Sequence, residues 1–166
     1  LFSSITYEKI NSSFDNSFDM TNMAFFGENL ILDKICEKDI CVGDILKIGQ
    51  AKVQITQPRQ PCWKLSANSL KNSMTKFIFE TGLTGFYAKV LKEGQISQND
   101  DVVLEQRTNP NLTIEKLNQI IVEPKIDINL TKEALACEDL GHQFKNSLTK
   151  RYELGDEDNQ FSFYHT

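Results

Sequence analysis

Around Thr108-Asn109-Pro110 the hydrophobic period of the chain changes, and this change constrains the fold more than any other feature. From about Gly27 to Arg107 the signals are those of strands and turns. Ala51-Lys52-Val53-Gln54-Ile55-Thr56 alternates apolar and polar residues with period two, the mark of a half-buried strand. Before it, Gly43-Asp44 forms a turn signal ahead of the short apolar run Ile45-Leu46-Lys47-Ile48. The arrangement recurs in Phe86-Tyr87-Ala88-Lys89-Val90-Leu91, the Lys-Glu-Gly turn at 92–94, and Val102-Val103-Leu104 after Asn99-Asp100-Asp101. Short strands with Gly and Asp punctuation predict a barrel or a sandwich. Upstream, Thr6 to Ile10 is predicted to lie in a short helix, and Ser66 to Lys76, polar and without alternation, is predicted to be a loop.

Beyond Pro110 the pattern is helical. Leu112 to Leu117 and Leu130 to Leu135 share one design, with Thr113 and Thr131 as predicted N-caps. Each has a leucine just before it and another four residues after, as in a hydrophobic staple. Pro124 is predicted to end the first helix and Gly141 the second. A third carries Leu140, Phe144, Leu148 and Tyr152 at a spacing of four. Helices this short are marginal alone and must pack on one another or on the strands. The tail from Gly155 to Asn159 is acidic and expected to be solvated.

The bulk properties exclude several functions. With 166 residues and 40% apolar content, the chain supports one domain, or one domain with a small appendage. A net charge of −5 argues against non-specific binding to nucleic acid or to an anionic membrane surface. No apolar run approaches the roughly 20 residues that span a bilayer. Cys36, Cys41, Cys62 and Cys137 form no CxxC pair, and both histidines, His142 and His165, come late, so a zinc cluster has no support. The apolar content makes disulfide staples unnecessary, and the cysteines are read as reduced and cytosolic. There is no GxGxxG and no phosphate-binding P-loop.

The stretch Gln57-Pro58-Arg59-Gln60-Pro61-Cys62-Trp63-Lys64-Leu65 places a thiol between two prolines and two cations. Nearby cations favour the thiolate, the form that attacks or binds soft metals, and the prolines fix its direction. A protease-like nucleophile would need a histidine base, and neither histidine is near in sequence. Composition alone favours a blander reading, with Cys62 a small buried hydrophobe beside Trp63, and Arg59 and Lys64 on a solvated edge.

The segment from Gln57 to Leu65 also resembles the signature of MOSC domains, the module at the C-terminus of molybdenum-cofactor sulfurases, and more narrowly their bacterial YiiM-type branch. Phe26-Gly27-Glu28-Asn29-Leu30 resembles the FGENL element of that family. Val42-Gly43-Asp44 with Ile48-Gly49 resembles its GD…IG hairpin, and Thr81-Gly82 through Leu91 with Glu93-Gly94 its GWY-x-RVL-x-EG strand, here with Phe86 in place of tryptophan. The helices ending near Arg151 resemble a three-helix appendage of the branch.

The resemblance implies a mainly β fold, a MOSC β-barrel over 1–108 whose N-terminal part is missing. A three-helix domain over 109–154 and an acidic tail over 155–166 would make the chain α+β overall. The family's His-Gly-Gly element would lie before Leu1. The resemblance further implies a molybdenum-pterin cofactor with Cys62 as metal ligand and catalytic residue, and with Arg59 and Lys64 at the cofactor's phosphate. Glu28 and Asn29 would bind pterin or substrate, although Asn29 is equally well read as a turn residue. Trp63 is placed in the core. The implied activity is reduction of N-hydroxylated compounds such as hydroxylaminopurine-type base analogues, a detoxification in the bacterial cytoplasm. Its partners would be that small-molecule substrate and a separate electron-donating reductase, with no nucleic acid and no membrane. The alternative is a non-catalytic carrier of the pterin or of sulfur. Pyridoxal phosphate, the cofactor of the sulfurase domain, is not expected, because no lysine here is placed to form a Schiff base.

Overall fold

In the computed structural model residues 1–19 and 24–154 are described, so the acidic tail lies outside the described residues. The central element is a four-stranded antiparallel sheet built from β3 (Ile45–Ile48), β4 (Ala51–Pro58), β5 (Phe86–Lys92) and β6 (Val102–Gln106). Its spatial order is β5-β4-β3-β6. Strands β3 and β4 form a hairpin in which Leu46 faces Val53 and Ile48 faces Ala51. The period-two pattern of β4 survives intact, with Ala51, Val53 and Ile55 buried and the residues between them half-exposed. Register shifts near Lys52/Val53 and Ile55/Gln57 bend the β4–β5 pair. Two short strands, β1 (Phe2–Ser3) and β2 (Ile31–Leu32), pair in parallel.

Among the described residues six helices surround these strands, so the fold is α+β, as the resemblance implied. Helix α1 (Ser4–Ser13) covers the predicted Thr6 to Ile10 and is capped by Ser3, whose hydroxyl accepts from the Ile5 N–H. Helices α4 (Ile114–Val122), α5 (Ile128–Ala136) and α6 (His142–Leu154) follow the change of period. Their apolar faces enter one cluster with the sheet: Leu46, Val53 and Ile55 pack with Leu117, Ile120, Leu140, Phe144 and Leu148. This shared burial is what holds helices too short to be stable alone.

Thr113 caps α4 as predicted, accepting from the Lys116 N–H at 3.2 Å. Thr131 does not cap α5. Asp127 takes that place, accepting from Leu130, and Thr131 is buried within the helix with its hydroxyl donating to the Pro124 carbonyl at 2.8 Å. Likewise Gly141 does not end α5, which stops at Ala136. The Gly141 N–H donates to the Thr56 carbonyl just before α6, so the residue ties that helix to β4.

The predicted loop from Ser66 to Lys76 is largely helical. It comprises most of α2 (Lys64–Ser69) and the start of α3 (Met74–Thr81). Hydroxyls make this polar stretch fold: Ser66 and Thr75 hydrogen-bond at 2.8 Å, and Ser69 donates to the Leu65 carbonyl at 2.7 Å. Helix α3 buries Met74, Thr75, Ile78 and Phe79 along one face, and Gly82 ends it in the left-handed conformation with φ +71°. A second apolar cluster joins Ile78 and Met74 to Leu65, Tyr7, Ile10, Phe2 and Phe26.

Candidate functional site

The proline-rich segment lies where β4 leaves the sheet. Pro58 is its last residue, paired with Phe86, and the Arg59 N–H donates to the Gly85 carbonyl at 3.1 Å. The chain then turns through Pro61, which is buried, and enters α2 at Lys64. The Cys62 carbonyl accepts from the Leu65 N–H at 2.9 Å and from the Thr75 hydroxyl at 3.0 Å, which pins the turn to α3. Cys62 is a free, half-buried thiol. Cys36, Cys41 and Cys137 are buried. Burial, helped by a hydrogen bond to Asp39, raises the Cys36 thiol's pKa, and burial with the Asp44 charge raises that of Cys41.

The FGENL element comes to the same place from the other side of the sequence. Phe26 stacks on Phe2 with ring centroids 5.1 Å apart and anchors the loop in the second cluster. Gly27 follows at φ +71°, and Glu28 and Asn29 then stand before β2. Glu28, Asn29 and Arg59, with Gly27, Phe86 and Tyr87, line one cavity of about 80 Å³. Glu28 and Asn29 also border a larger open cleft of about 790 Å³ toward Ser97 to Val102. Asn29 further touches an apolar cleft of about 320 Å³ between Val53, Val90 and Ile96.

The ion pairs among the described residues are Lys34–Asp33, Lys52–Glu105 and Arg107–Asp44, and none engages Arg59 or Lys64. Arg59 is therefore a half-buried cation with no carboxylate pair, placed at a cavity. Lys64 is exposed at the first position of α2 and does not line that cavity, nor does Cys62. Trp63, expected in the core, is 67% exposed. The turn into α2 gives the inward position to Leu65 instead, which is buried.

Tyr7 is a site residue that the sequence did not reveal. It is 2% exposed, and its hydroxyl donates to Glu28 Oε1 at 2.5 Å while accepting from the Ala24 N–H at 3.1 Å. Burial first, and the hydrogen bond to Glu28 second, raise the phenol's pKa, so it remains a proton-bearing donor at neutral pH. No pattern links positions 7 and 28, and only the packing of α1 against Phe26 brings them together.

Residues 1–103 match the MOSC domain. The chain belongs to the MOSC domain family. It is 32% identical over 128 residues to the uncharacterized protein YflK of Bacillus subtilis, covering 77% of this chain and 58% of that protein. It is 28% identical over 126 residues to protein YiiM of Escherichia coli, covering 76% of this chain and 56% of YiiM. A protein from Gibberella moniliformis named "Reductase" is 29% identical over 116 residues, 69% of this chain but 21% of that protein. The chain thus spans less than two thirds of each of these relatives.

The crystal structure of YiiM from Geobacillus stearothermophilus superposes with a TM-score of 0.81 at 32% identity, covering 90% of this MOSC chain and 75% of that one. YiiM from Escherichia coli gives 0.84 at 25% identity, with 98% and 80% covered. The YiiM-type resemblance read from the sequence therefore holds at the level of family and fold.

Among the described residues no three His, Cys, Asp or Glu side chains group as a metal site. Arg59, with no carboxylate partner among the described residues, stands at a cavity with an adjoining cleft of several hundred Å³, which suits a group with an anionic arm, while the half-buried thiol of Cys62 follows on the turn beyond and lines neither. No helix among the described residues is long and apolar enough to cross a membrane.

Proposed function

We propose that this MOSC chain forms the cofactor-holding part of a molybdenum-pterin reductase of N-hydroxylated compounds, hydroxylaminopurine-type base analogues among them. The observation that carries the reading is the convergence of Glu28, Asn29 and Arg59. Glu28 and Asn29 come about 30 positions before Arg59 in sequence, yet the three line one cavity, and the free thiol of Cys62 follows Arg59 on the turn beyond it. The name of one relative, "Reductase", agrees with it.

In this reading the Cys62 sulfur would hold the metal, while Arg59 at the cavity and the exposed Lys64 at the start of α2 would pair with the cofactor's phosphate. Asn29 and Glu28 hydrogen-bond the bound molecule. When bound, the cofactor would supply a two-electron redox centre for the reduction. The overall reaction breaks the N–O bond, consumes two electrons from a separate reductase and two protons, and releases the amine and water.

The test is metal analysis of the intact protein from cells grown with molybdate, comparing wild type with Cys62→Ser. Molybdenum bound by the wild type and lost in the variant is the expected result. Equal molybdenum in both would sink the ligand assignment. Cofactor binding without reduction of 6-hydroxylaminopurine under a competent electron donor would replace the reductase reading with that of a carrier.

A further inference from the structure

We propose that Tyr7 is a positioning residue that commits one oxygen of Glu28, leaving the other as the acceptor for an N–H group of a heterocycle bound beside Arg59 and Asn29. The inference rests on the reading above, that this cavity takes a ligand, and deepens it by naming what the carboxylate recognises.

The direction of the hydrogen bonds is fixed by the partners. The Ala24 N–H can only donate, so the phenol oxygen accepts there and its own proton goes to Glu28 Oε1. The phenol ring cannot swing away, because Phe2 meets it edge-on at 4.9 Å and Phe26 lies 5.1 Å from it. Glu28 is consequently held by one oxygen. Its other oxygen, Oε2, is enclosed and has no hydrogen-bond partner among the described residues.

An enclosed carboxylate oxygen without a donor is unfavourable, and native proteins keep few of them. Glu28 lines the 80 Å³ cavity and borders the larger cleft, so a ring N–H seated against its carboxylate, with a small turn of the group that brings Oε2 to the cavity, would relieve the cost. Arg59 at the same cavity attracts a negative group. The pair therefore suits a heterocycle that offers an N–H to Glu28 and carries, or lies beside, an anionic arm. Two sources share this chemistry: the ring of a pterin cofactor and an amino- or hydroxylamino-purine substrate.

The experiment uses the intact protein as wild type, Tyr7→Phe and Glu28→Gln. Tyr7→Phe keeps the ring packing and removes only the hydroxyl. Glu28→Gln keeps an acceptor for Tyr7 and replaces the second acceptor with a donor. Pterin content of the purified proteins and the KM and kcat for 6-hydroxylaminopurine are measured, with thermal midpoints confirming folding.

Loss of a hydrogen bond to a charged group weakens binding on the order of tenfold or more. If the ring is the cofactor's, the pterin dissociation constant rises by about that factor in both variants and the pterin content of the purified proteins falls. If it is the substrate's, occupancy stays and KM rises about tenfold with kcat retained. Folded variants with wild-type occupancy and wild-type KM would overturn the proposal alone. A wild-type protein that binds neither pterin nor purine would sink the function reading, and this inference with it.

Discussion

Removing either side of the Asp44–Arg107 pair should cost this fold a large share of its stability. Asp44 is 0% exposed and accepts three hydrogen bonds: from the Cys41 N–H at 2.8 Å, from Arg107 Nε at 2.9 Å and from Arg107 Nη2 at 2.7 Å. The same guanidinium donates to the Asp39 carbonyl at 2.8 Å, so it joins the end of β6 to the loop before β3. Breaking a buried pair by deleting one partner costs about 3–5 kcal/mol, because the other charge is left unpaired. The Arg107 side chain is 33% exposed and can turn toward water once alone. Asp44→Ala, which strands the buried Cys41 N–H and frees that arginine, belongs near about 3 kcal/mol. Arg107→Ala leaves a carboxylate with no route to solvent and belongs near the upper figure. With an m-value of about 2 kcal/mol per molar urea, the unfolding midpoint should fall by about 1.5–2.5 M, read by circular dichroism. The double variant should show a coupling of about 2 kcal/mol that persists in 0.5 M NaCl. A coupling under about 0.5 kcal/mol, or one abolished by salt, would mean that the pair behaves like a surface pair and the burial argument is wrong.

Other consequences are open to simpler measurements. The raised pKa of Tyr7 means that its contribution to stability is whole below the unfolded value of about 10 and is lost as pH rises past it. Wild type should therefore lose up to about 1.4 kcal/mol per pH unit more than Tyr7→Phe in alkaline urea titrations, and parallel curves would refute this. Alkylation by iodoacetamide at neutral pH should reach the half-buried Cys62 well before Cys36 or Cys41, whose thiols burial keeps protonated; peptide mass spectrometry showing equal rates would contradict it. Gly85→Ala should lower the thermal midpoint by an amount worth about 2 kcal/mol or more, since the position needs a left-handed backbone at φ +69° and a Cβ there would stand 2.5 Å from the Phe2 ring. A change under about 0.5 kcal/mol would show that the Phe2 packing yields easily.

The fold was legible where a local pattern and its tertiary setting agree. The alternation of Ala51 to Thr56 reports one buried face, and β4 has one. Thr113 and Thr131 show where such agreement ends, since both sit in the same staple-like sequence. Only the first caps a helix, because Asp127 begins α5 four residues before Thr131 and the buried hydroxyl turns back to Pro124. The helical character of 64–81 was hidden for a related reason. Its buried positions include Ser69 and Thr75, whose polarity is balanced by hydrogen bonds to Leu65, Ser66 and Cys62 that no hydrophobic pattern registers.

The same division runs through the candidate site. Arg59 and Cys62 could be singled out because their chemistry is contiguous in sequence. Their separation in space follows from a detail the sequence did not expose: after Pro58 the chain leaves the sheet, so Arg59 stays at the cavity beside Phe86 while Cys62 and Lys64 are carried on toward α2. Glu28 was legible as part of a motif, but its state was not. One oxygen is taken by a tyrosine 21 positions away, and that tyrosine is held by Phe2 and Phe26. A motif thus supplies the polar groups that line the cavity, whereas the aromatic cluster behind them decides how many acceptors remain free. Changing Phe26 should for that reason alter recognition at Glu28 without touching the cavity's polar lining, an effect that inspection of the motif residues alone would not anticipate.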